Sequence, residues 1–340
     1  MLPYPPRSYS FTGHAILYAT PIQSKPTTIL DLNTITMPEA SPKKSISKKS
    51  NPKSTPQKKP QAKLQAKAMA KRKTPAPPAF EANGMLTLST DFGYQDAYVP
   101  AMKGVILSRF PEVRLVDLSH EIPAQSILGG ALFLADAMPF FPAGTVHLVV
   151  VDPGVGSERK AIVAQANDQL FVCPDNGLLS LLFEEHPLQT VREITNPEIM
   201  RPEISNTFHG RDIFAPVAAR LAQGMPLETL GPELQQVVML EIHQPVSEGD
   251  LIQGEVIYID HFGNCITNIH QDILQDKTAY RVQFAATTIT DISMHYAAAP
   301  LEEVLALFGS SGRLELAVRD GNAAEEFEIR LGAPVTLFIP

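Results

Sequence analysis

The chain has 340 residues, room for two domains of ordinary size, and a formal net charge of −8. The charge is unevenly divided: residues 1–84 carry 14 basic and 3 acidic side chains, and the remainder carries 14 basic and 33 acidic ones. An acidic body argues against duplex nucleic acid as the main partner, because phosphate binding needs clustered Lys and Arg, and two isolated cysteines, Cys173 and Cys265, make neither a disulfide framework nor a Cys-x-x-Cys zinc site.

Residues 1–84 come first and read as a disordered, basic, Pro- and Lys-rich tail. Thirteen of the 30 prolines lie there, and residues 43–73 hold 12 Lys and Arg with no acid. Such a segment cannot bury enough apolar surface to offset its ordering entropy. It reads as a solvated tail with Met85 as an alternative start, as an electrostatic tether to an acidic partner, or as an acid-poor transit peptide rich in Lys rather than Arg. No basic-then-apolar signal peptide opens the chain, and no window approaches the roughly 18 apolar residues of a membrane span. With reduced cysteines, a cytoplasmic protein is expected.

From Met85 the pattern alternates between strand and helix. Strands are predicted at Met85–Thr90, Val113–Leu118 and Val146–Val151, and helices at Tyr98–Phe110 and Ser126–Ala137. Ala161–Gln165 and Leu170–Cys173 read as a hairpin across Asn167-Asp168. Leu178–Glu185 and Ile213–Leu221 read as helices. The order predicts an α/β domain over residues 85–240 with a mostly parallel sheet and helices on both faces. Beyond it the pattern turns to β: strands at Gly254–Asp260, Cys265–Ile269, Tyr280–Phe284, Arg313–Val318, Glu326–Arg330 and Val335–Phe338, with one helix at Pro300–Leu307. A smaller, barrel-like all-β domain over residues 241–340 is expected.

Chemistry-bearing residues collect where strands end. Val149-Val-Val-Asp-Pro-Gly-Val-Gly-Ser-Glu-Arg159 empties an apolar strand into Asp152 and, seven residues on, Arg159. Open α/β sheets bind ligands at that edge. Thr207-Phe-His-Gly-Arg-Asp212 supplies His209. Together Asp152, Arg159 and His209 form a water-activating set; singly, each has a structural reading as a turn ion pair or a satisfied histidine. Asp91, after the first strand, reads equally as a ribose-hydroxyl acceptor or as a helix N-cap. Asp260 and Asn264 flank a turn that Asx chemistry alone explains. No Gly-x-Gly-x-x-Gly, P-loop or Gly-x-Ser-x-Gly elbow appears. The remaining histidines, His120 and His147 among them, are scattered, with no His-x-x-x-His pair for a metal.

Five motifs in order carry a resemblance over about residues 85–340: Thr90-Asp-Phe-Gly93, Asp152-Pro-Gly-Val-Gly156 with Glu158-Arg159, Pro174-Asp-Asn-Gly-Leu178, Thr207-Phe-His-Gly-Arg-Asp-Ile-Phe214, and Asp260-His-Phe-Gly-Asn264. Together they resemble the S-adenosyl-L-methionine hydroxide adenosyltransferase family, relatives of fluorinase and chlorinase. The resemblance implies hydrolysis of S-adenosyl-L-methionine (SAM) to adenosine and L-methionine without a cofactor or metal. It implies a catalytic trio at Asp152, Arg159 and His209. It also implies ribose binding by Asp91, ammonium contacts from Asp96 and Asp260, adenine contacts from Asn264 and the backbone near Ala323, and carboxylate binding at Ser310. Fluorinase has Ser-Arg where this chain has Ser310-Ser311, so Arg313 is the alternative source of charge. The Asp152-Pro-Gly-Val-Gly156 loop, and the lack of the insertion fluorinase has before Asn176-Gly-Leu178, favour water over halide. A halogenating relative and a non-catalytic adenosyl-ligand sensor are the alternatives. The resemblance further implies a homotrimer with each site shared between adjacent subunits.

Overall fold

The computed structural model describes residues 80–274 and 280–339. The tail expected of residues 1–84 lies almost wholly outside them. The first half is built on strands β1 (Met85–Thr90), β2 (Arg114–Ser119), β3 (Val146–Val150), β4 (Ala161–Ala166), β5 (Gln169–Pro174) and β6 (Thr190–Glu193). Helices α1 (Tyr98–Arg109) and α2 (Ile127–Ala137) connect β1 to β2 and β2 to β3, and α3 (Ser180–Glu185) and α4 (Ala215–Ala222) follow β5 and β6. The sheet order is β2-β1-β3-β5-β4-β6, with β2, β1, β3 and β5 mutually parallel and β4 antiparallel to both of its neighbours.

The continuous apolar runs make sense once both faces are covered. Leu86, Leu88, Val146, Leu148 and Val150 pack against α1 and α4 in one core, whereas Val149, Val151, Phe171 and Cys173 pack against α2 and α3 in another. A strand buried on both sides has no polar alternation to display. The β4–β5 hairpin turns through Asn167 (φ 49°) and Asp168 (φ 55°), the left-handed pair that a two-residue turn requires.

The second half is a nine-stranded sheet curled into a nearly closed barrel: β7 (Val246–Glu248), β8 (Leu251–Ile259), β9 (Cys265–His270), β10 (Arg281–Phe284), β11 (Thr287–Ile289), β12 (Ile292–Ser293), β13 (Val304–Phe308), β14 (Arg313–Val318) and β15 (Pro334–Phe338). The long β8 pairs with β15 through Leu251–Glu255 and with β9 through Val256–Ile259. An irregularity between Val256 and Tyr258 bends it from one partner to the next.

Two of the expected elements take another form, and β6, β7, β11 and β12 are strands the sequence pattern did not predict. The helix read at Pro300–Leu307 is instead a turn, with Glu302 at φ 61°, leading into β13. Alternate β13 residues enter different cores: Ala306 joins the main one, while Leu305 and Leu307 join another with Ala317. The strand read at Glu326–Arg330 is instead the end of a short helix α5 (Ala323–Glu326) and an irregular return. Asn322 caps it by accepting from the Glu325 N–H at 3.0 Å, and its own N–H donates to Glu326 Oε1 at 3.2 Å.

Candidate active site

Parallel pairing fixes where the motif residues gather. Thr90 lies beside Val150 and Ser89 beside Ser119, so the residues after β1, β2 and β3 emerge side by side at one sheet edge. They are Asp91, His120 and Asp152. The Asn176 side chain donates to the Val151 carbonyl at 2.9 Å, which pins the strand end just before Asp152.

Asp152 and Arg159 form a fork. Arg159 Nε donates to Asp152 Oδ1 at 3.0 Å, and Arg159 Nη2 donates to Oδ2. The side chains are 4% and 10% exposed, so the pair is largely shielded from solvent screening. The same Nη2 donates to His209 Nδ1 at 2.8 Å, and the guanidinium lies 5.3 Å from the centre of the Phe214 ring. The three side chains, 57 residues apart from Asp152 to His209, therefore make one hydrogen-bonded row with arginine in the middle.

Local backbone chemistry brings the two loops together. Gly156 has φ 79°, and a Cβ there would sit 2.3 Å from the Asn206 carbonyl oxygen. Only glycine admits both that backbone conformation and that approach. Behind His209, the fully buried Asp212 accepts from the Ser205 N–H at 2.9 Å and from both Arg211 Nε and Nη2, with Arg201 Nε 3.1 Å away. These bonds fold the segment that starts the π-helical turn Gly210–Phe214, and His209 occupies its N-cap position without a side-chain bond to it. Phe92, Tyr98 and Phe208 meet with ring centroids 5.3–5.9 Å apart, joining the Asp91 loop to the His209 segment.

An arginine can only donate, so His209 Nδ1 accepts and the ring carries its proton on Nε2. Burial first, and the Arg159 charge second, hold the His209 pKa below its ordinary 6.5. The imidazole is therefore neutral near pH 7.

Asp91 does not cap α1, whose N-cap is Ala97 with no side-chain bond. Its Oδ2 accepts instead from the Gln125 N–H at 2.8 Å, which leaves Oδ1 for another donor. Asp96 is exposed on the same loop. His120, which the sequence left among scattered histidines, is fully buried, with Nδ1 2.8 Å from Thr90 Oγ1.

The remaining site residues sit in the barrel. Asp260 Oδ1 accepts from the Phe262 and Asn264 N–H groups at 2.9 and 2.8 Å, and Oδ2 accepts from Asn264 Nδ2 at 2.9 Å. The Asx-turn reading is thus correct as local chemistry. The Gly263 carbonyl accepts from the Ala324 N–H at 3.0 Å, which sets buried Ala323 against that turn. Asp260 and Tyr296 line two neighbouring cavities. One, of about 600 Å³, also takes in Ser310, Ser311, Arg313 and Glu315; the other, of about 530 Å³, takes in Asn264 and Arg319. None of Asp91, Asp152, Arg159 or His209 lines either cavity. The structure thus gathers these residues in two groups: one at the sheet edge around Asp152, Arg159 and His209, the other around the pair of hollows beside Asp260.

Among the described residues, no group of three or more His, Cys, Asp or Glu is placed to hold a metal ion. Both cysteines are free and buried. Burial pushes the Cys265 thiol up to about 11 and the Cys173 thiol higher still, which leaves neither as a nucleophile.

The SAM hydroxide adenosyltransferase N-terminal domain profile matches residues 86–231, and the C-terminal domain profile of the same family matches residues 254–336. The chain belongs to this family. A Salinispora tropica relative named (R)-S-adenosyl-L-methionine hydrolase is 39% identical over 250 residues, covering 71% of this chain and 92% of the relative. A Thermus thermophilus protein of the same name is 37% identical, covering 73% and 97%. A Nocardia brasiliensis fluorinase is more distant, at 28% identity over 74% of this chain and 95% of its own. A solved structure of an uncharacterized conserved protein from Thermotoga maritima superposes with a TM-score of 0.69 at 37% identity, covering 75% of this chain and 99% of that one. In a SAM hydroxide adenosyltransferase, the polar row at the sheet edge and the hollows beside Asp260 are the features that need a chemical account.

Proposed function

We propose that the chain hydrolyses S-adenosyl-L-methionine to adenosine and L-methionine by attack of hydroxide on C5′. The carrying observation is the row of Asp152, Arg159 and His209 at the carboxyl edge of the parallel sheet. The 36–40% identity to proteins named SAM hydrolases supports the substrate. Water gives up a proton to bulk solvent as hydroxide forms; a lone pair of that oxygen makes the O–C5′ bond while the C5′–S pair returns to sulfur, which leaves as a neutral thioether. The sulfonium carries its own activation, so the balance needs no acid at the leaving group, no metal and no redox cofactor.

The direction of one hydrogen bond refines how the nucleophile is handled. While Arg159 donates to Nδ1, His209 cannot accept a proton there, and its Nε2–H is a donor. Hydroxide stabilised by the guanidinium and oriented by the imidazole N–H fits this arrangement better than deprotonation by His209. Asp152 balances and aims Arg159, and burial strengthens each contact.

Asp91 and Asp96 on the edge, and Asp260, Asn264, Ala323 and Ser310 in the barrel, are the proposed substrate contacts, with Arg313 beside Ser310 supplying positive charge for the methionine carboxylate. Because the two groups line separate features of one chain, a homotrimer in which the edge of one subunit faces the hollows of the next completes the site. No helix among the described residues is long and apolar enough to cross a membrane, and a cytoplasmic location is proposed.

The test is product analysis in H2 18-O water. Adenosine labelled at its 5′ oxygen, together with L-methionine, is the expected outcome. A 5′-halo-5′-deoxyadenosine as the main product in the presence of halide would overturn hydrolysis. Tight binding of SAM with no nucleoside released would leave a sensor instead.

A further inference from the structure

The loop after β2 carries a polar constellation that the proposed reaction does not use. His120 is fully buried, with its Nε2 3.3 Å from Asp117 Oδ1, a close polar approach short of an aligned hydrogen bond. Asp117 is also paired with Lys103. A carboxylate on that side favours the ring proton on Nε2, so Nδ1 accepts from the Thr90 hydroxyl at 2.8 Å. Thr90 Oγ1 in turn accepts from the Phe92 N–H at 3.3 Å.

The same loop reaches the Asp91 segment twice more. The His120 carbonyl accepts from the Gly93 N–H at 2.7 Å, and the Gln125 N–H donates to Asp91 Oδ2 at 2.8 Å. Gln125 makes that bond from φ 63°, a conformation that costs a non-glycine residue on the order of 1 kcal/mol and persists only where its surroundings hold it. One loop therefore grips the residue before Asp91, Asp91 itself, and the residue two beyond it. The Tyr94 ring closes edge-on over His120 at 5.0 Å.

His147 offers a contrast. It is equally buried, between Thr87 and Gln169, but both partners belong to strands of the sheet and neither adjoins a site residue. The partners of His120 flank a carboxylate that has one oxygen already committed to the loop.

We propose that His120 is a positioning residue for Asp91: it fixes the direction of the free carboxylate oxygen toward the substrate's ribose and thereby sets selectivity for ribose over 2′-deoxyribose. The proposal rests on the hydrolase reading given above. Its test compares SAM with 2′-deoxy-SAM by nucleoside release. The wild type should prefer the ribose substrate by about tenfold in kcat/KM, the worth of one lost hydrogen bond to a charged group. His120→Leu, similar in size and without polar atoms, should reduce that preference to about twofold, with KM rising more than kcat falls. His120→Asn, which keeps a polar group at the δ position, should restore most of it. Should His120→Leu not fold, Asp117→Asn carries the test, because loss of the carboxylate frees the tautomer and should lower the preference as well.

A lowered melting temperature in His120→Leu with the wild-type preference intact would show a purely structural histidine and overturn the proposal, as would an unchanged preference in Asp117→Asn. Hydrolysis by a wild type indifferent to the 2′-hydroxyl overturns it too and leaves the hydrolase reading standing. A wild type that releases no nucleoside from SAM defeats both.

Discussion

Arg159 is the residue on which the proposed chemistry turns, because it touches both of its partners with the same nitrogen. Its Nη2 donates to Asp152 and to His209, so the fork holds an acid on one side and an imidazole on the other. A lysine has the charge but not the planar fork, and cannot make both contacts in one geometry. Arg159→Lys should therefore keep the fold, by circular dichroism and melting, and lower kcat for adenosine release by about a hundredfold. The histidine sets the pH limb. Its folded pKa is depressed, so protonation costs more in the native site than in the open chain. The stabilising, neutral state is fully present above pH 6.5 and is lost as pH falls through the folded value. A protonated ring would also turn an N–H against the Arg159 donor. The acid limb of kcat/KM should lie below pH 6.5, and a limb centred above it would contradict the assignment.

At the scale of elements, the site exists because three parallel strands end together and a glycine lets two loops touch. Gly156→Ala forces a Cβ against the Asn206 carbonyl from a positive φ. It should destabilise the protein by about 1–3 kcal/mol and cut activity by more than the folded fraction falls, since Arg159 and His209 sit on the two loops forced apart. Inside the sheet, His147 ties Thr87 of β1 to Gln169 of β5, and burial holds its pKa down to about 4. Its contribution is complete above pH 6.5 and is lost as pH falls from there toward 4. His147→Leu leaves two buried polar groups unpaired, so it should lower stability by about 2–3 kcal/mol at pH 7. Equilibrium denaturation across this range should also show a flatter pH dependence in the variant.

These elements also show what the bare sequence could carry. The first sheet was legible because apolar runs ending in Asp91 and Asp152 announce parallel strands with chemistry at their tips. Of the three residues that meet there, only Asp152 is marked this way; Arg159 lies in the turn after it and His209 opens a helical turn, so their meeting with Asp152 is a matter of tertiary structure. β13 was not legible: Val304–Phe308 is buried on both faces, so it lacks alternation, and Leu-Glu-Glu ahead of it mimics a helix. The cap of α5 carried a readable signal, Asn322 with Glu325 three residues on, which the apolar Phe327 and Ile329 beyond it obscured. The grip of the 120–125 loop on Asp91 depends on a left-handed glutamine, and no local pattern marks one.

At the scale of the whole molecule, two separate surfaces lie on one chain. The edge bearing Asp152, Arg159 and His209 exposes Tyr94 and Tyr98, and the barrel hollows are bordered by Phe262 and Met294, which are 72% and 91% exposed. Large apolar side chains left open beside both surfaces are what the proposed ring of heterologous contacts would cover. Sedimentation should then give three times the chain mass. Mixing gives a sharper test. A chain with His209→Ala has a dead edge and sound hollows; one with Asn264→Ala has the reverse, and each alone should be nearly inactive. If every site pairs the edge of one subunit with the hollows of the next, refolding the two in equal amounts makes about a quarter of the edge–hollow junctions sound in both parts. Adenosine release should rise from near zero to about that fraction of wild type, and in a series of mixing ratios it should peak at equal amounts, since a junction needs one chain of each kind. Sites completed within a single subunit could gain nothing from the partner at any ratio. A flat, inactive series from well-folded mixed trimers would therefore place both halves of the reaction in one chain and rule out the shared site.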